Sequence, residues 1–412
     1  MRNNITLVGI NFYPEESSSG LYSTQMAEHL AKDNTVEVVT GFPYYPEWAI
    51  RETYRKKPRY LVEQHGAITL YRYKQYVPGN PTFRNRIIHL LDFTLGSVRN
   101  IFKIKKSDLV ICVVPFTSSI VPGWLLAKRR GAKLWVHIQD FEFDAAIESG
   151  LAGKQGVVKT KVFQALFWLE RKLFNQADLV STISYGMLAR LEEKTDTPGY
   201  FFPNWVDENF INPQQAKTHP LMRSEKFKVL YSGNIGAKQD WEFFIKVAAY
   251  FKDDEKITFI VVGAGARKAW LVEQTRSFSN VRHFTPVEYA TLPDLLCSAD
   301  LHILFQKNEI MDTVMPCKLL GMMASAVPSV VTGSPASEVA KVFEASKGGY
   351  FYDSGCDSGC LDNVLKIIQY LSTHKTAAQA MGLRARSYII EHFSASRVLG
   401  DFEDKVQELI HS

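Results

Sequence analysis

The chain alternates short, continuously apolar runs with segments whose apolar residues recur at helical spacing, and few folds accept that pattern. Ile5–Ile10 (ITLVGI) is apolar throughout, as a strand buried on both faces of a parallel sheet must be. The loop NFYPEESSSG follows, then Leu21–Lys32, with Met26, Ala27 and Leu30 on one helical face, and then the strand Thr35–Thr40. That is a βαβ unit. Further strands are read at Leu109–Pro115, Lys133–Ile138 and Leu179–Ile183, with a helix over Ile120–Arg130. The second half repeats the pattern with strands at Lys228–Ser232, Ile257–Val262, Leu301–Phe305 and Ser329–Thr332. Such a series implies α/β domains with parallel sheets and helices on both faces.

At 412 residues the chain exceeds the usual size of a single core, so two domains of roughly 200 residues are expected. The polar stretch Asn204–Lys226, with Pro213 and Pro220, is the natural joint. The reading is a Rossmann-like domain over 1–205, a second over 206–393, and a C-terminal helix over 394–412 that packs back on the first. Two doubly wound domains facing across a cleft would bring both sets of strand C-terminal ends to one gap, the expected active site.

A net charge of +5 is small for this length, and the basic residues lie beside apolar faces rather than in one broad field, which argues against nucleic acid. Five cysteines (Cys112, Cys297, Cys317, Cys356, Cys360), mostly in apolar segments, suit a reducing compartment. Cys356 and Cys360 lack further ligands nearby, so no metal is expected. The N-terminus has no signal-peptide core, and no apolar run reaches the ~18 residues that span a bilayer. A cytoplasmic protein is expected.

Three stretches carry chemistry. Phe305–Val331 reads as strand, loop, helix, strand, with Pro316 at the first helical position and Lys318 in the first turn. The amides of Cys317 and Lys318, the dipole end and the ammonium would together seat a diphosphate. An ordinary βα unit with a solvated Lys318 fits the same residues. His137, Gln139 and Asp140 end a strand where doubly wound domains place ligand contacts, and His137 shares a strand face with Gln139. A core histidine satisfied by a hydrogen bond is the competing reading. Val261–Gly265 (VVGAG) is a short glycine turn after a strand, a spacing common by chance.

Taken in order, INFYPEESSSG, TGFPYYPEW, WVHIQDFEFDAA, ADLVSTISYGM, NWVD, YSGNIGAKQ, VVGAG and DTVMPCKLLGMMAS resemble a retaining glycosyltransferase of family four with the GT-B fold. The bacterial exopolysaccharide and colanic-acid-type branch is most similar. The resemblance implies sugar transfer from a UDP- or GDP-linked donor to a glycan hydroxyl, with configuration kept and no metal or other cofactor. It makes the first domain the acceptor domain and the second the donor domain. Gly20 matches the glycine loop that approaches donor phosphates and acceptor. Asp140 matches the aspartate of the family's His-Asp pair, whereas Gln139 departs from its histidine. Gly233, Asn234 and Gly236 match the turn where a basic pair grips the diphosphate, with Asn234 in place of the usual arginine and Lys238 left as the main cation. Gly263 and Gly265 match the next turn, and Thr285-Pro286-Val287 falls where the base is contacted.

The family's two glutamates, eight positions apart, align with Thr313 and Gly321, neither acidic. Glu309 and Asp312 remain as candidates for a sugar hydroxyl, and Thr313, Val314, Met315, Pro316 and Cys317 form the variant donor loop. His137, Asp140, Lys238 and Lys318 are the candidate catalytic residues. The partners implied are a nucleotide sugar and a glycan or polyprenyl-diphosphate-linked acceptor. Two basic-apolar stretches, Phe83–Lys106 and Lys154–Phe174, add the expectation of peripheral docking on the inner face of the cell membrane. Helices that bury their apolar faces on the sheet are the plainer account of both. A nucleotide-sugar epimerase of the same fold and an inactive binding homologue are the rival readings.

Overall fold

A computed structural model describes residues 2–16, 18–115, 117–144, 157–308, 316–355 and 359–412. The chain divides into two units, Met1–Pro203 with Leu399–Ser412, and Asn204–Val398. Each is a doubly wound, Rossmann-like α/β domain.

The first unit is built on strands β1 (Asn4–Val8), β2 (Thr35–Gly41), β3 (Tyr60–His65), β4 (Ile68–Tyr73), β5 (Leu109–Val114), β6 (Lys133–Ile138), β7 (Leu179–Thr182) and β8 (Gly199–Phe201). They form one sheet in the order β3-β4-β2-β1-β5-β6-β7-β8. All neighbours pair in parallel except β3 and β4, an antiparallel hairpin turning at Gly66. The order reverses direction between β1 and β5, so the crevice at that switch point is where such a sheet holds ligands. β5 is buried at all its positions, which is what its unbroken apolar run requires.

The C-terminal helix Ala395–His411 contributes Phe402 to this unit. Its ring lies 5.1 Å from that of Trp135 and stacks at 4.6 Å on Phe202, all three buried. Asn3 and His29 hold the same helix through Gln407 (3.1 Å) and Glu403 (3.0 Å).

The second unit carries β9 (Phe227–Ser232), β10 (Ile257–Val262), β11 (Val281–Phe284), β12 (Leu301–Phe305), β13 (Ser329–Gly333) and β14 (Gly349–Asp353). They form a parallel sheet in the order β11-β10-β9-β12-β13-β14. Its switch point lies between β9 and β12. A continuous core runs under it, including Phe259, Leu304, Leu319, Met323 and Ile368.

Sequence periodicity did not single out β3, β4, β8, β11 or β14. β14 is only partly buried along its length, and β3 alternates as an edge strand does, so neither presents an apolar run. The helix read from Leu21 starts earlier, at Ser18, and Pro316 caps rather than opens its helix, which runs Cys317–Ala324. Among the described cysteines, Cys112, Cys297, Cys317 and Cys360 are free thiols, and Cys356 lies outside the described residues. No described helix is long and apolar enough to cross a membrane.

Candidate functional site

In the second unit the site is assembled at the switch point. The turn after β9 and the start of the loop after β12 are laced together: Asp240 N donates to Phe305 O (2.9 Å) and Lys307 N to Lys238 O (3.3 Å). Lys238 is exposed there. From the far side, Lys318 Nζ donates to the Tyr231 hydroxyl at 3.1 Å and lies 4.9 Å from the centre of its ring. The hydroxyl in turn donates to Asn234 O at 2.6 Å, so Tyr231 fixes both the turn and the ammonium. A methyl group on Gly233 would sit 3.4 Å from that ammonium. The backbone at Gly233 and the cation of Lys318 therefore share one wall.

The turn after β10 presses on the turn after β9. A Cβ at Gly263 would stand 2.0 Å from Gly233 O, so only glycine allows the two backbones to approach this closely. Gly233 N donates to Val262 O (3.0 Å), and Ile235 N to Ala264 O (2.8 Å). Gly236 N is taken by the Gln239 side chain, and Gly265 faces the Asn234 side chain. Lys268, not anticipated, ties this turn to the end of β11, donating to Gly263 O (2.9 Å) and Phe284 O (3.1 Å). Val287 follows at once, half-buried against the core, with Thr285 and Pro286 exposed.

Helix Cys317–Ala324 starts with no side-chain cap from Pro316, leaving its dipole end toward the loop before it. Asn204 Nδ2 donates to Cys317 Sγ at 3.3 Å. Glu309, Asp312, Thr313, Val314 and Met315, expected in the donor loop, lie outside the described residues. Gly321 is inside the helix, where a Cβ would meet the Leu296 side chain at 3.3 Å.

In the first unit, His137 is a hydrogen-bonded core residue. It is 2% exposed, and burial pulls its imidazole down to about 3. The Gln139 amide donates to Nε2 (2.8 Å), while Nδ1 meets Ser181 Oγ (2.9 Å), which also accepts the Trp135 indole N–H (2.7 Å). A neutral ring with both nitrogens engaged can reach a ligand only by positioning Gln139. Gln139 is half-buried and Asp140 exposed at the end of β6.

Gly20 has a packing role within its own loop. A Cβ there would collide with Glu15 Cβ at 2.8 Å, so the glycine makes room for a buried carboxylate of its own loop. Glu15, which sequence reading missed, accepts from Asn11 Nδ2 (2.8 Å) and from the backbone N–H of Tyr44 (2.8 Å) and Tyr45 (2.9 Å). Burial pushes its pKa up against those donors. It thus clamps the loop after β1 to the loop after β2. The run of polar letters PEESSSG gave no sign of which glutamate turns inward.

Glu142 was also missed. Its carboxylate accepts from Thr117 N at 3.1 Å, joining the ends of β5 and β6. Burial first, then the carboxylates of Glu170 and Asp140, raise it to about 8, with the Thr117 N–H opposing. Beside it Lys194 bridges Asp144 (2.9 Å) and Glu170 (2.8 Å), and Arg190 pairs with Asp144 (3.2 Å).

Residues 19–199 match the family profile described as glycosyl transferase 4-like domain, and residues 226–369 that of glycosyl transferases group 1. WcaI of Escherichia coli (strain K12), described as a colanic acid biosynthesis glycosyl transferase, is 37% identical over 359 residues, covering 84% of this chain and 86% of that one. Among solved structures, sucrose-phosphate synthase from Thermosynechococcus elongatus superposes with a TM-score of 0.74 at 14% identity, covering 100% of both chains. Anabaena HepE, solved in complex with UDP and glucose, gives 0.66 at 12% identity, covering 99% of this chain and 100% of that one.

Proposed function

Because the chain belongs to the glycosyltransferase family that carries these two domains on a GT-B fold, we propose that it moves a sugar from a UDP- or GDP-linked donor to a hydroxyl of a lipid-linked glycan acceptor, with the anomeric configuration kept, in surface polysaccharide biosynthesis.

 The reading rests on one observation: at the switch point of the second unit, Lys318 is held by Tyr231 against the glycine turn that ends β9, where a leaving diphosphate would meet an ammonium and a helix N-terminus together.

In this reaction the bond from the anomeric carbon to the diphosphate oxygen breaks, and the acceptor oxygen bonds that carbon on the same face. The acceptor's proton leaves on the departing diphosphate. Lys318 and Lys238 offset the charge that develops there, so the step needs no metal. In the first unit, Gln139, steadied by His137, and Asp140 are the groups suited to holding a sugar hydroxyl. The chain works on the inner face of the cell membrane, where a lipid-linked acceptor is held.

Incubation with a panel of UDP- and GDP-sugars, read by mass spectrometry, tests the proposal. Transfer or slow hydrolysis of one donor is expected. Epimerisation, or binding with no turnover, overturns it. Charge-assisted bonds to phosphate are worth about 1.5–3 kcal/mol, so Lys318→Ala and Lys238→Ala should each lower turnover by roughly ten- to several-hundred-fold. Wild-type turnover in both would remove them from the site.

A further inference from the structure

An open cavity of about 440 Å³ in the first unit is left unused by the site described above. Its lining includes Lys57, Arg59, Lys74, Gln75, Tyr76 and Asp92. Lys74, Gln75 and Tyr76 directly follow β4, which runs parallel to β2. Arg59 directly precedes β3, the antiparallel partner of β4, and its carbonyl accepts from Lys74 N at 2.8 Å. The cavity therefore opens at the C-terminal edge of the sheet, the edge that also carries Glu15 and Gln139.

Its charge is unbalanced. Three cations line it against one carboxylate, and that carboxylate is already occupied: Asp92 accepts from Tyr76 N (2.7 Å) and the Tyr73 hydroxyl (2.9 Å), with Arg59 at 3.6 Å. Gln75 is spent on both backbone groups of Phe42. Arg59 is largely exposed and gives one donor to the Tyr73 hydroxyl, and Lys57 is exposed with its ammonium unpartnered among the described residues. Lys74 gives one donor to Arg55 O, which leaves its ammonium others. The cavity presents N–H donors and two ammonium groups, Lys57 and Lys74, beyond the one cation that Asp92 balances.

Asp92 lies on the helix Phe83–Ile101, and the same side of that helix is apolar and uncovered. Ile88, Leu91 and Leu95 are 42%, 53% and 73% exposed, at a spacing that aligns them beside Asp92. An anion pocket thus adjoins an apolar stripe. The ligand that complements both is an amphiphile with a phosphorylated head and a hydrocarbon tail.

We propose that this cavity binds the diphosphate of a prenyl-diphosphate-linked acceptor, with the adjoining stripe of Ile88, Leu91 and Leu95 taking the start of its chain. The assignment rests on the lipid-linked acceptor of the proposed function and locates its head group on this chain.

Titration calorimetry on the full chain tests it with farnesyl diphosphate, inorganic pyrophosphate and phosphatidylglycerol vesicles. Wild type should bind farnesyl diphosphate more tightly than pyrophosphate. Lys57→Glu with Arg59→Gln should weaken farnesyl diphosphate by roughly tenfold or more, the loss expected for charge-assisted phosphate contacts. Leu91→Ser with Leu95→Ser should erase the preference over pyrophosphate, and an unchanged melting temperature certifies each fold. Unaltered affinity in the Lys57/Arg59 variant overturns the pocket. So does equal wild-type affinity for the two diphosphates, or binding of the phosphatidylglycerol vesicles that falls in the Lys57/Arg59 variant as farnesyl diphosphate binding does, which would mark a headgroup site. Kinetics separate this from the function itself. Sugar transfer with an unchanged KM for a prenyl-diphosphate acceptor in that variant sinks the pocket alone, whereas pocket-dependent binding with no transfer from any donor sinks the transferase reading alone.

Discussion

Glu142 stores a proton at the edge of the first sheet. Burial comes first, the carboxylates of Glu170 and Asp140 face it, Lys194 and Arg190 are spent on Glu170 and Asp144, and Thr117 alone among the groups acting on it favours its charge. A carboxyl raised from 4.5 to about 8 in the fold stabilises it fully below pH 4.5 and loses that contribution as pH climbs through about 8. Glu142→Gln removes the titration. Denaturant unfolding at pH 5 and pH 9 should therefore show wild type losing stability relative to the variant at the higher pH. A difference between the two proteins that is constant with pH would refute the assignment. The position illustrates what a sequence withholds. Gln139-Asp140 could be placed at a strand end by counting, but whether Glu142 or Glu15 turns inward depends on backbone N–H donors contributed by Thr117, Tyr44 and Tyr45, far away along the chain.

At the scale of elements, the helix Phe83–Ile101 keeps the basic-apolar character read from its letters. Its exposed stripe continues to Phe102, 56% exposed with Arg129 4.8 Å over the ring, and Lys103, Lys105 and Lys106 are exposed beyond it. On the helix Val157–Phe174, Trp168 is 63% exposed while Phe174 is buried. Docking on anionic lipid should follow, because each basic residue near the surface adds about 1 kcal/mol. Co-sedimentation should require anionic lipid, fade with salt, and weaken on replacing Lys103, Lys105 and Lys106 with glutamate. Equal, negligible binding to anionic and neutral vesicles at low salt would rule the surface out. Legibility followed burial here too. Strands buried on both faces, such as β5 and β10, announce themselves as apolar runs, whereas the half-buried β3 and β14 at the sheet edges do not.

For the whole molecule, the grouping of Leu399–Ser412 with the first unit makes a terminal segment part of a core that begins at residue 4. Phe402→Ala should cost about 3–5 kcal/mol, since its fully buried ring fills the space between Trp135 and Phe202. Hydrogen exchange read by mass spectrometry should show faster exchange in peptides spanning β6 to β8, with peptides from β9 to β13 as the internal control. Equal protection in both regions would show the ring to be dispensable. The alternating pattern showed the inner strands of both sheets, and the last helix was expected on the first domain, yet no periodicity within it could name its partner rings, which lie about 200 and 270 residues upstream. That separation has a consequence during synthesis. A ribosome adding about 5–20 residues per second needs roughly 10–40 s to travel from Phe202 to Phe402, so the unit begun first is finished last, and until then the nascent chain carries an open face at Trp135 that chaperones must keep from sticking.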